Sequence, residues 1–464
     1  MRVFAAATLS VTLLLGQAVA PLPAPELNQL YTAALHTFTL VRSGTAVDDP
    51  ATGIHHPASH LSDATPADEP APRSLAGGWY NAGDFGKWSM MAAISVSYML
   101  HLRDLQQLHG QPDPNLLIEA DWGLAWLLKM QDPDGGVRQK IDSGTYQGLG
   151  QSWGHSPDQD PTTRRATPAA TIPTADFAAV LYQAARAYTP LDPSRAHRFR
   201  QAADAAYVWL GQHPNTPAHD PFYADDDPKE ELLWARCEHA LTTGRDPDAL
   251  AQQLTTLTPG EVRWTDPSLL GLYSLASSPA APAALKRAAT DAILRAATQQ
   301  AADAARRPFH VALPSDDYWW GSAERVLQRG SLFAMADHLQ PSPLFHQAAI
   351  DQLNWALGNN ALHHSFITGF GTNPVQHPYH WTYMALGKLM PGWAVGGPNA
   401  SPNWADKPLL HLQQMGTPPE LCYLDLCSRE GSWASNEGEI SEEAALVFLT
   451  GALQLGRATP AKTR

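Results

Sequence analysis

A succession of helical patterns with almost no strand alternation constrains this chain more than any other feature. In LLIEADWGLAWLLKMQ, residues 116–131, the positions of Leu117, Ala120, Leu124 and Leu127 follow the 3.6-residue period of an amphipathic helix. The same period predicts helices at roughly 25–40, 87–108, 116–131, 175–188, 200–213, 283–302, 318–339, 343–357 and 440–456. Further helix starts are marked by a capping acid before a proline, at Asp113-Pro114, Asp192-Pro193, Asp227-Pro228 and Asp246-Pro247.

Such a series of helices either closes as a ring of helical hairpins or stacks as a solenoid. A solenoid has a sequence repeat of fixed period, and this chain has none. We therefore predict an all-α fold closed into a toroid, with the active groove on the face where the inter-helix loops gather. No linker divides the helical region, so residues 21–458 are predicted to form a single domain, followed by a disordered tail at 459–464.

The N-terminus reads MRVFAAATLSVTLLLGQAVA, with a basic start, a short apolar run and small residues at its end. This pattern predicts a signal peptide at residues 1–20 and a secreted or periplasmic protein. The formal net charge of −14 argues against nucleic acid or an anionic membrane as partner, because both attract clustered Lys and Arg. We expect a neutral or weakly charged substrate, no membrane contact after signal cleavage, and a monomer.

The stretch GGWYNAGDFGKWSM, residues 77–90, places one carboxylate in a tight aromatic turn. Its glycines relieve steric limits, so Asp84 can be presented from the turn into a site. The alternative is that Asp84 caps the helix that begins near Lys87. The motif alone favours neither interpretation.

A second stretch, GSWASNEGEISEEAALVFLTGAL, carries Glu437 at the junction of a polar loop and an apolar helix. A carboxyl beside an indole such as that of Trp433 holds its proton to higher pH, which suits a general acid. The alternative is a first-turn Glu favoured by the helix dipole. Nearby Glu439, Glu442 and Glu443 show that acids are common in this segment.

A third stretch, HHSFITGFGTNPVQHPYHWTY, is rich in histidine and aromatic residues. The histidine spacing fits no standard zinc pattern, so no metal ligand is predicted there. Together the three stretches resemble glycoside hydrolase family 9, the inverting cellulase family with an (α/α)6 barrel. GGWYNAGDFGK is similar to its GGW-[YH]-DAGD-[YF]-GK turn, SFITGFGTNPVQHPYH to its SYVTGFGxxxPxxPHHR segment, and SNEGEISEEAALV to its NExxIxxNAPLV segment.

The resemblance implies roles for individual residues. Asp84 matches the general base that activates water, and Glu437 matches the acid that protonates the leaving glycosidic oxygen. Asn81 stands where the family has a second aspartate and is expected to help position the water; without a like charge there, Asp84 should have a lower pKa than in a carboxylate pair. Substrate contacts are expected from Trp79, Tyr379, His380, Trp381, Asp425 and Trp433.

Several departures from the family pattern bear on substrate choice. Gln139, Tyr379 and Trp381 replace the His, His and Arg of the family motifs, and Glu443 replaces an Asn. No cofactor is required; the resemblance makes structural calcium an expectation without assignable ligands. The leading hypothesis is a secreted inverting hydrolase of β-1,4-glucosidic bonds in cellulose-type or mixed-linkage glucans. The alternatives are a hydrolase of another β-glycoside, such as glucosamine oligomers, and a weakly active carbohydrate-binding relative.

Overall fold

The structure, a computed structural model, describes residues 22–455 apart from 67–68, 70–71, 144–151, 219–221, 246, 427, 429–430 and 432. The predicted signal peptide and the predicted tail therefore lie outside the described residues. Helices dominate, and in chain order they are α1 Ala24–Leu40, α2 Ser89–Leu108, α3 Pro114–Met130, α4 Thr171–Tyr188, α5 Pro193–Gln212, α6 Lys229–Thr243, α7 Pro247–Leu254, α8 Ser268–Ser277, α9 Ala283–Ala304, α10 Ser322–Leu339, α11 Pro343–Ala356, α12 Trp381–Leu386, α13 Lys407–Gln414, α14 Trp433–Asn436 and α15 Ile440–Gln454.

Helices of the described chain alternate between two concentric layers. The inner ring runs α2, α4, α6, α8, α10, α15 and back to α2, each helix packing on the next. The outer helices α1, α3, α5, α9 and α11 each pack on an inner helix, and α7 packs chiefly on α9. Six inner and six outer helices form an (α/α)6 barrel, which confirms the predicted closed all-α toroid.

The sequence of each helix accounts for its layer. In the inner helix α4 every residue except Arg186 is buried, because neighbours surround it on all sides. The outer helix α5 instead buries a single stripe that includes Ala196, Phe199, Ala203 and Ala206, and its other face meets water. One hydrophobic core runs from Leu27 to Leu449 through both layers.

Two of the predicted proline caps are confirmed, and one is wrong. Asp113 accepts a hydrogen bond from the Asn115 amide at the start of α3, and Asp192 accepts one from the Arg195 amide at the start of α5. Asp227 does not cap α6, because that helix begins two residues later at Lys229. Asp246 lies outside the described residues.

Strands in the described chain are short, with at most three residues each. They are β1 Val47–Asp49, β2 Ile54–His56, β3 Lys87–Trp88, β4 Val137–Arg138, β5 Lys140–Asp142, β6 Arg165–Ala166 and β7 Ala169–Ala170. All pairings are antiparallel: β1 with β2, β5 between β3 and β6, and β4 with β7. The strand β3 joins the Asp84 turn to α2 and anchors it against β5.

The sequence analysis missed four helices, α8, α12, α13 and α14, each of which has ten residues or fewer. Within the described ranges, no helix is both long enough and apolar enough to cross a membrane.

Candidate active site

Asp84 is presented by a turn that is otherwise buried. Every residue from 78 to 103 is buried except Asp84, whose side chain is partly exposed. Its Oδ1 accepts a hydrogen bond from the Gly86 amide at 2.7 Å, which fixes the carboxylate within the turn. The helix α2 begins at Ser89 with no side-chain cap, so the capping interpretation of Asp84 is wrong.

Glu437 has the same kind of setting in a second segment. Every residue from 434 to 451 is buried except Glu437, which is partly exposed. The helix α15 begins three residues later, and its cap is the Glu439 carboxylate, which accepts from the Ser441 amide. Glu437 is therefore not a first-turn helix acid, and its carboxylate is directed elsewhere.

The carboxylate of Glu437 meets the turn that carries Asp84. Its Oε1 accepts a hydrogen bond from the Gly83 amide at 3.1 Å, and Gly83 is the residue next to Asp84. The backbone joins the same segments, because the Ile440 amide donates to the Asn81 carbonyl and the Trp381 amide donates to the Gly83 carbonyl. These bonds bring Asp84 and Glu437 together across one partly exposed opening.

Burial raises the pKa values of both acids, and a nearby carboxylate adds to each increase. Burial raises the pKa of Asp84 to about 6, against the stabilising Gly86 amide, and the nearby Asp142 carboxylate adds to the increase. Asp84 thus has a like charge beside it that the sequence did not indicate. Burial also raises the pKa of Glu437 well above its usual value, and the Asp84 charge raises it further. The negative charge of Asp84 thus favours the protonated form of Glu437.

Asn81, whose side chain is fully buried, forms a polar pair with Tyr223 beside the turn that carries Asp84. The Asn81 amide nitrogen donates to the Tyr223 hydroxyl at 2.9 Å, while its Oδ1 is buried without a donor among the described residues. A water held there would satisfy that oxygen, which is what a water-positioning side chain requires. Tyr223 was missed by sequence reasoning because the segment around it has neither helical period nor a motif.

Three of the predicted substrate-binding residues are partly exposed, so their side chains can be reached from solvent. Tyr379 is partly exposed, with its ring 5.7 Å from that of Trp153, and its amide donates to the Asn436 carbonyl. Asp425 accepts hydrogen bonds from the backbone amides of Gln376 and His377, so it fixes the loop that leads to Tyr379. Trp433 is partly exposed and packs beside the small cluster of Leu409, Cys422 and Ala434.

The structure contradicts direct substrate contact for the other three. Trp79 is 1% exposed, and its ring packs edge-on against Phe38 in the core. His380 is fully buried with its ring edge-on to Trp393, and burial lowers the pKa of the imidazole to about 3. Trp381 is 3% exposed and packs edge-on against Phe85. These large aromatic side chains fill space behind the turn, so they support the site and do not line it.

In the part of the chain that the structure describes, no group of three or more His, Cys, Asp or Glu side chains is placed to hold a metal ion. The described residues therefore offer no such ligand set for the structural calcium that the family resemblance suggests.

Comparisons with known proteins agree with this geometry. A family model described as Glycosyl hydrolase family 9 matches residues 28–450. Endoglucanase C of Cellulomonas fimi is 28% identical and aligns with 91% of this chain and 43% of its own length. The xyloglucan-specific endo-β-1,4-glucanase BoGH9A of Bacteroides ovatus is 28% identical over 96% of this chain and 80% of its own length. The chain thus spans less than half of the first relative.

A solved structure supports the same alignment in three dimensions. The crystal structure of the GH family 9 endoglucanase J30 superposes with a TM-score of 0.83 at 28% identity. The superposition covers 92% of this chain and 84% of that one, so the two proteins share the fold over most of their lengths.

Proposed function

Because the chain belongs to glycosyl hydrolase family 9, we propose that it hydrolyses β-1,4-glucosidic bonds of a glucan with inversion at the anomeric carbon. One observation carries the proposal. Asp84 and Glu437 are the single partly exposed residues in two long buried segments, and the Gly83 amide links one carboxylate to the other's turn. Burying a carboxylate has a high desolvation free energy. Two neighbouring, largely buried carboxylates are therefore typical of a functional site in which both acids take part.

In the proposed reaction the ionised Asp84 carboxylate takes a proton from a water as the water attacks the anomeric carbon. The protonated Glu437 carboxyl gives its proton to the departing glycosidic oxygen, so that the sugar hydroxyl leaves neutral. The Oδ1 of Asn81 accepts a hydrogen bond from the attacking water, and the Tyr223 hydroxyl holds the Asn81 amide in place. The acids exchange protons with solvent before the next turnover.

The glucan backbone is proposed from the relatives. One relative is named an endoglucanase, and the name of the other, a xyloglucan-specific endo-β-1,4-glucanase, also gives the β-1,4 linkage. We propose that the protein is exported, on the strength of its N-terminal sequence.

The test measures reducing-sugar release from carboxymethyl cellulose, mixed-linkage β-glucan, xyloglucan and glucosamine oligomers. Wild-type protein is compared with Asp84→Asn, Glu437→Gln and, as a control, Glu443→Gln, a buried acid of α15 whose carboxylate accepts the Ala394 amide. We expect both site variants to lose about 10²–10⁴ in rate and the control to keep it. Equal sugar release by all four proteins would overturn the proposal. If wild-type protein released sugar only from glucosamine oligomers, these oligomers would replace the glucan as the proposed substrate.

A second substrate separates the two roles. In a dinitrophenyl β-cellobioside, the dinitrophenolate leaving group departs without being protonated. Cleavage of this substrate therefore needs the catalytic base but not the catalytic acid. Glu437→Gln should cleave it nearly as fast as wild type, whereas Asp84→Asn should not. The reverse pattern would exchange the assignments of the two residues.

A further inference from the structure

Two partly exposed aromatic side chains meet beside the carboxylate of Glu437. The rings of Trp153 and Tyr379 lie 5.7 Å apart between centroids and are tilted by 54°, so they form an open corner. The sequence predicts a substrate contact for Tyr379 but offers no motif around Trp153. The structure therefore adds a second ring to this side of the site.

The ring of Tyr379 reaches the acid itself. A Cβ built on Gly83 would lie 2.8 Å from Cδ1 of Tyr379 and 3.1 Å from Oε1 of Glu437, so the ring edge and the carboxylate border one methyl-sized point. The Tyr379 amide also donates to the carbonyl of Asn436, the residue before Glu437. The aromatic corner is thus fixed next to the group that protonates the departing oxygen.

Separate hydrogen bonds hold each half of the corner. The hydroxyl of Ser152, the residue before Trp153, donates to the carboxylate of Asp160 at 2.5 Å. On the other side, the carboxylate of Asp425 accepts from two backbone amides of the loop that leads to Tyr379. Because both loops are already fixed, little conformational entropy is lost when a ligand binds between the rings.

A different group of aromatic residues lies beside the turn that carries the base. Tyr223, which holds the Asn81 amide, packs edge-on against Trp88 and Trp264. In an inverting displacement the attacking water and the departing oxygen lie on opposite faces of the sugar ring. The aromatic residues near Asn81 therefore border the sugar that is attacked, whereas the corner next to Glu437 borders the sugar that departs.

We propose that Trp153 and Tyr379 together bind the glucosyl unit that departs with the protonated oxygen, and that Trp153 determines specificity for this unit. The inference rests on the proposed function, because it takes Glu437 as the acid. A β-linked glucopyranose carries its hydroxyls equatorially, so axial C–H groups make up its two faces. Such a face packs on the negatively polarised face of an aromatic ring, and a sugar with an axial hydroxyl or a charge there fits less well.

Two substrates that deliver the same cellobiosyl group separate this role from a structural one. Cellotetraose, cleaved at its central bond, places a sugar on the departing side, whereas β-cellobiosyl fluoride places only fluoride there. Loss of the Trp153 ring should lower kcat/KM for cellotetraose by about tenfold, as expected when an aromatic side chain is removed from a binding site. Hydrolysis of the fluoride should be unchanged, because it has no departing sugar for the ring to contact.

The variants separate stacking from folding. Trp153→Leu keeps an apolar side chain but removes the aromatic face, and Trp153→Phe keeps a smaller aromatic face. Tyr207→Ala is the control, because Tyr207 is a partly exposed aromatic residue of the outer helix α5, where it stacks on His239. Trp153→Phe should keep most of the wild-type preference for cellotetraose over the fluoride, and the control should keep all of it.

A loss confined to cellotetraose and to Trp153→Leu supports the proposal. Equal losses on both substrates would show that Trp153 only supports the fold. No loss on either substrate would show that Trp153 does not meet the departing sugar. Either of these two results overturns the proposal.

A binding experiment without turnover keeps this test separate from the proposed function. In Asp84→Asn protein labelled with 5-fluorotryptophan, the Trp153 resonance in the fluorine NMR spectrum is assigned by its loss in Trp153→Phe, so the experiment also decides if Trp153→Leu does not fold. Saturating cellotetraose should shift this resonance. If wild-type protein cleaves no glucan, the proposed function fails, while a shifted resonance still supports the sugar contact. An unshifted resonance, or no binding of cellotetraose, overturns the inference.

Discussion

Replacing Gly83 by alanine should disrupt the site at its closest contact. A Cβ on Gly83 would lie 2.1 Å from the Tyr379 carbonyl oxygen and 3.1 Å from Oε1 of Glu437. The carbonyl is backbone and is fixed by its neighbours, so the turn and the loop must separate by about 1 Å to admit the methyl group. The Gly83 amide would then lose its hydrogen bond to Glu437. A displacement of this size costs about 100-fold in rate, or about 3 kcal/mol in the activation free energy.

The assay compares kcat on a soluble β-glucan with the thermal unfolding temperature. Gly211→Ala is the matched control, because Gly211 lies in α5 with no neighbouring atom within 4 Å of the new Cβ. The control should keep wild-type activity and gain slightly in stability, since alanine is the better helix former. A folded Gly83→Ala protein with kcat within about threefold of wild type would refute the argument that this contact positions the acids.

Three further predictions concern charge. Asp142→Asn should move the acidic limb of kcat/KM below about pH 6, because the Asp142 carboxylate raises the pKa of Asp84, which must be ionised to act; an unmoved limb would show that Asp142 has no such influence. Asn81→Asp should move that limb to higher pH, because a second carboxylate beside Asp84 disfavours its ionisation, and a limb that stays in place would contradict this. Burial raises the pKa of Glu443 to about 8. Between about pH 4.5 and pH 8 the folded protein therefore keeps a proton that the unfolded chain has released, and the free energy of unfolding decreases as the pH rises through this range. In Glu443→Gln, up to about 4 kcal/mol of this pH-dependent decrease in the free energy of unfolding, measured with urea, should be absent. If the free energy of unfolding has the same pH dependence in wild type and in Glu443→Gln, the raised pKa of Glu443 is refuted.

Sequence periodicity predicted the barrel because its helices are long and regular. Inner helices such as α4 and outer helices such as α5 both carry the 3.6-residue period, and a proline marks the start of α5. The short helices were missed because the same signal depends on helix length. In α13 and α14 too few turns are present for a period to emerge, and contacts with neighbouring loops hold them.

The two acids could be chosen from sequence only through the resemblance to a family. The motif around Asp84 was equally compatible with a helix cap, and three other acids near Glu437 were equally compatible with a catalytic role. The structure separates these cases by exposure: Glu439 is a buried cap, whereas Glu437 reaches the opening.

The sugar-contact predictions failed where a motif position did not reveal side-chain direction. His380 and Trp381 follow Tyr379 directly, yet only Tyr379 is partly exposed. The backbone bond from Trp381 to the Gly83 carbonyl turns the chain inward at this point, so that the indole packs on Phe85. Such a reversal depends on a residue almost 300 positions away and has no local signature in the sequence.

The anomeric configuration of the first product tests the central claim most directly. Proton NMR of a β-1,4-glucan oligomer, recorded within the first minutes of cleavage, distinguishes the two anomers before they interconvert. An acid–base pair of Asp84 and Glu437 acting through a water must release the α-anomer first. A β-anomer as the first product would require a covalent intermediate on one of the acids and would contradict the account.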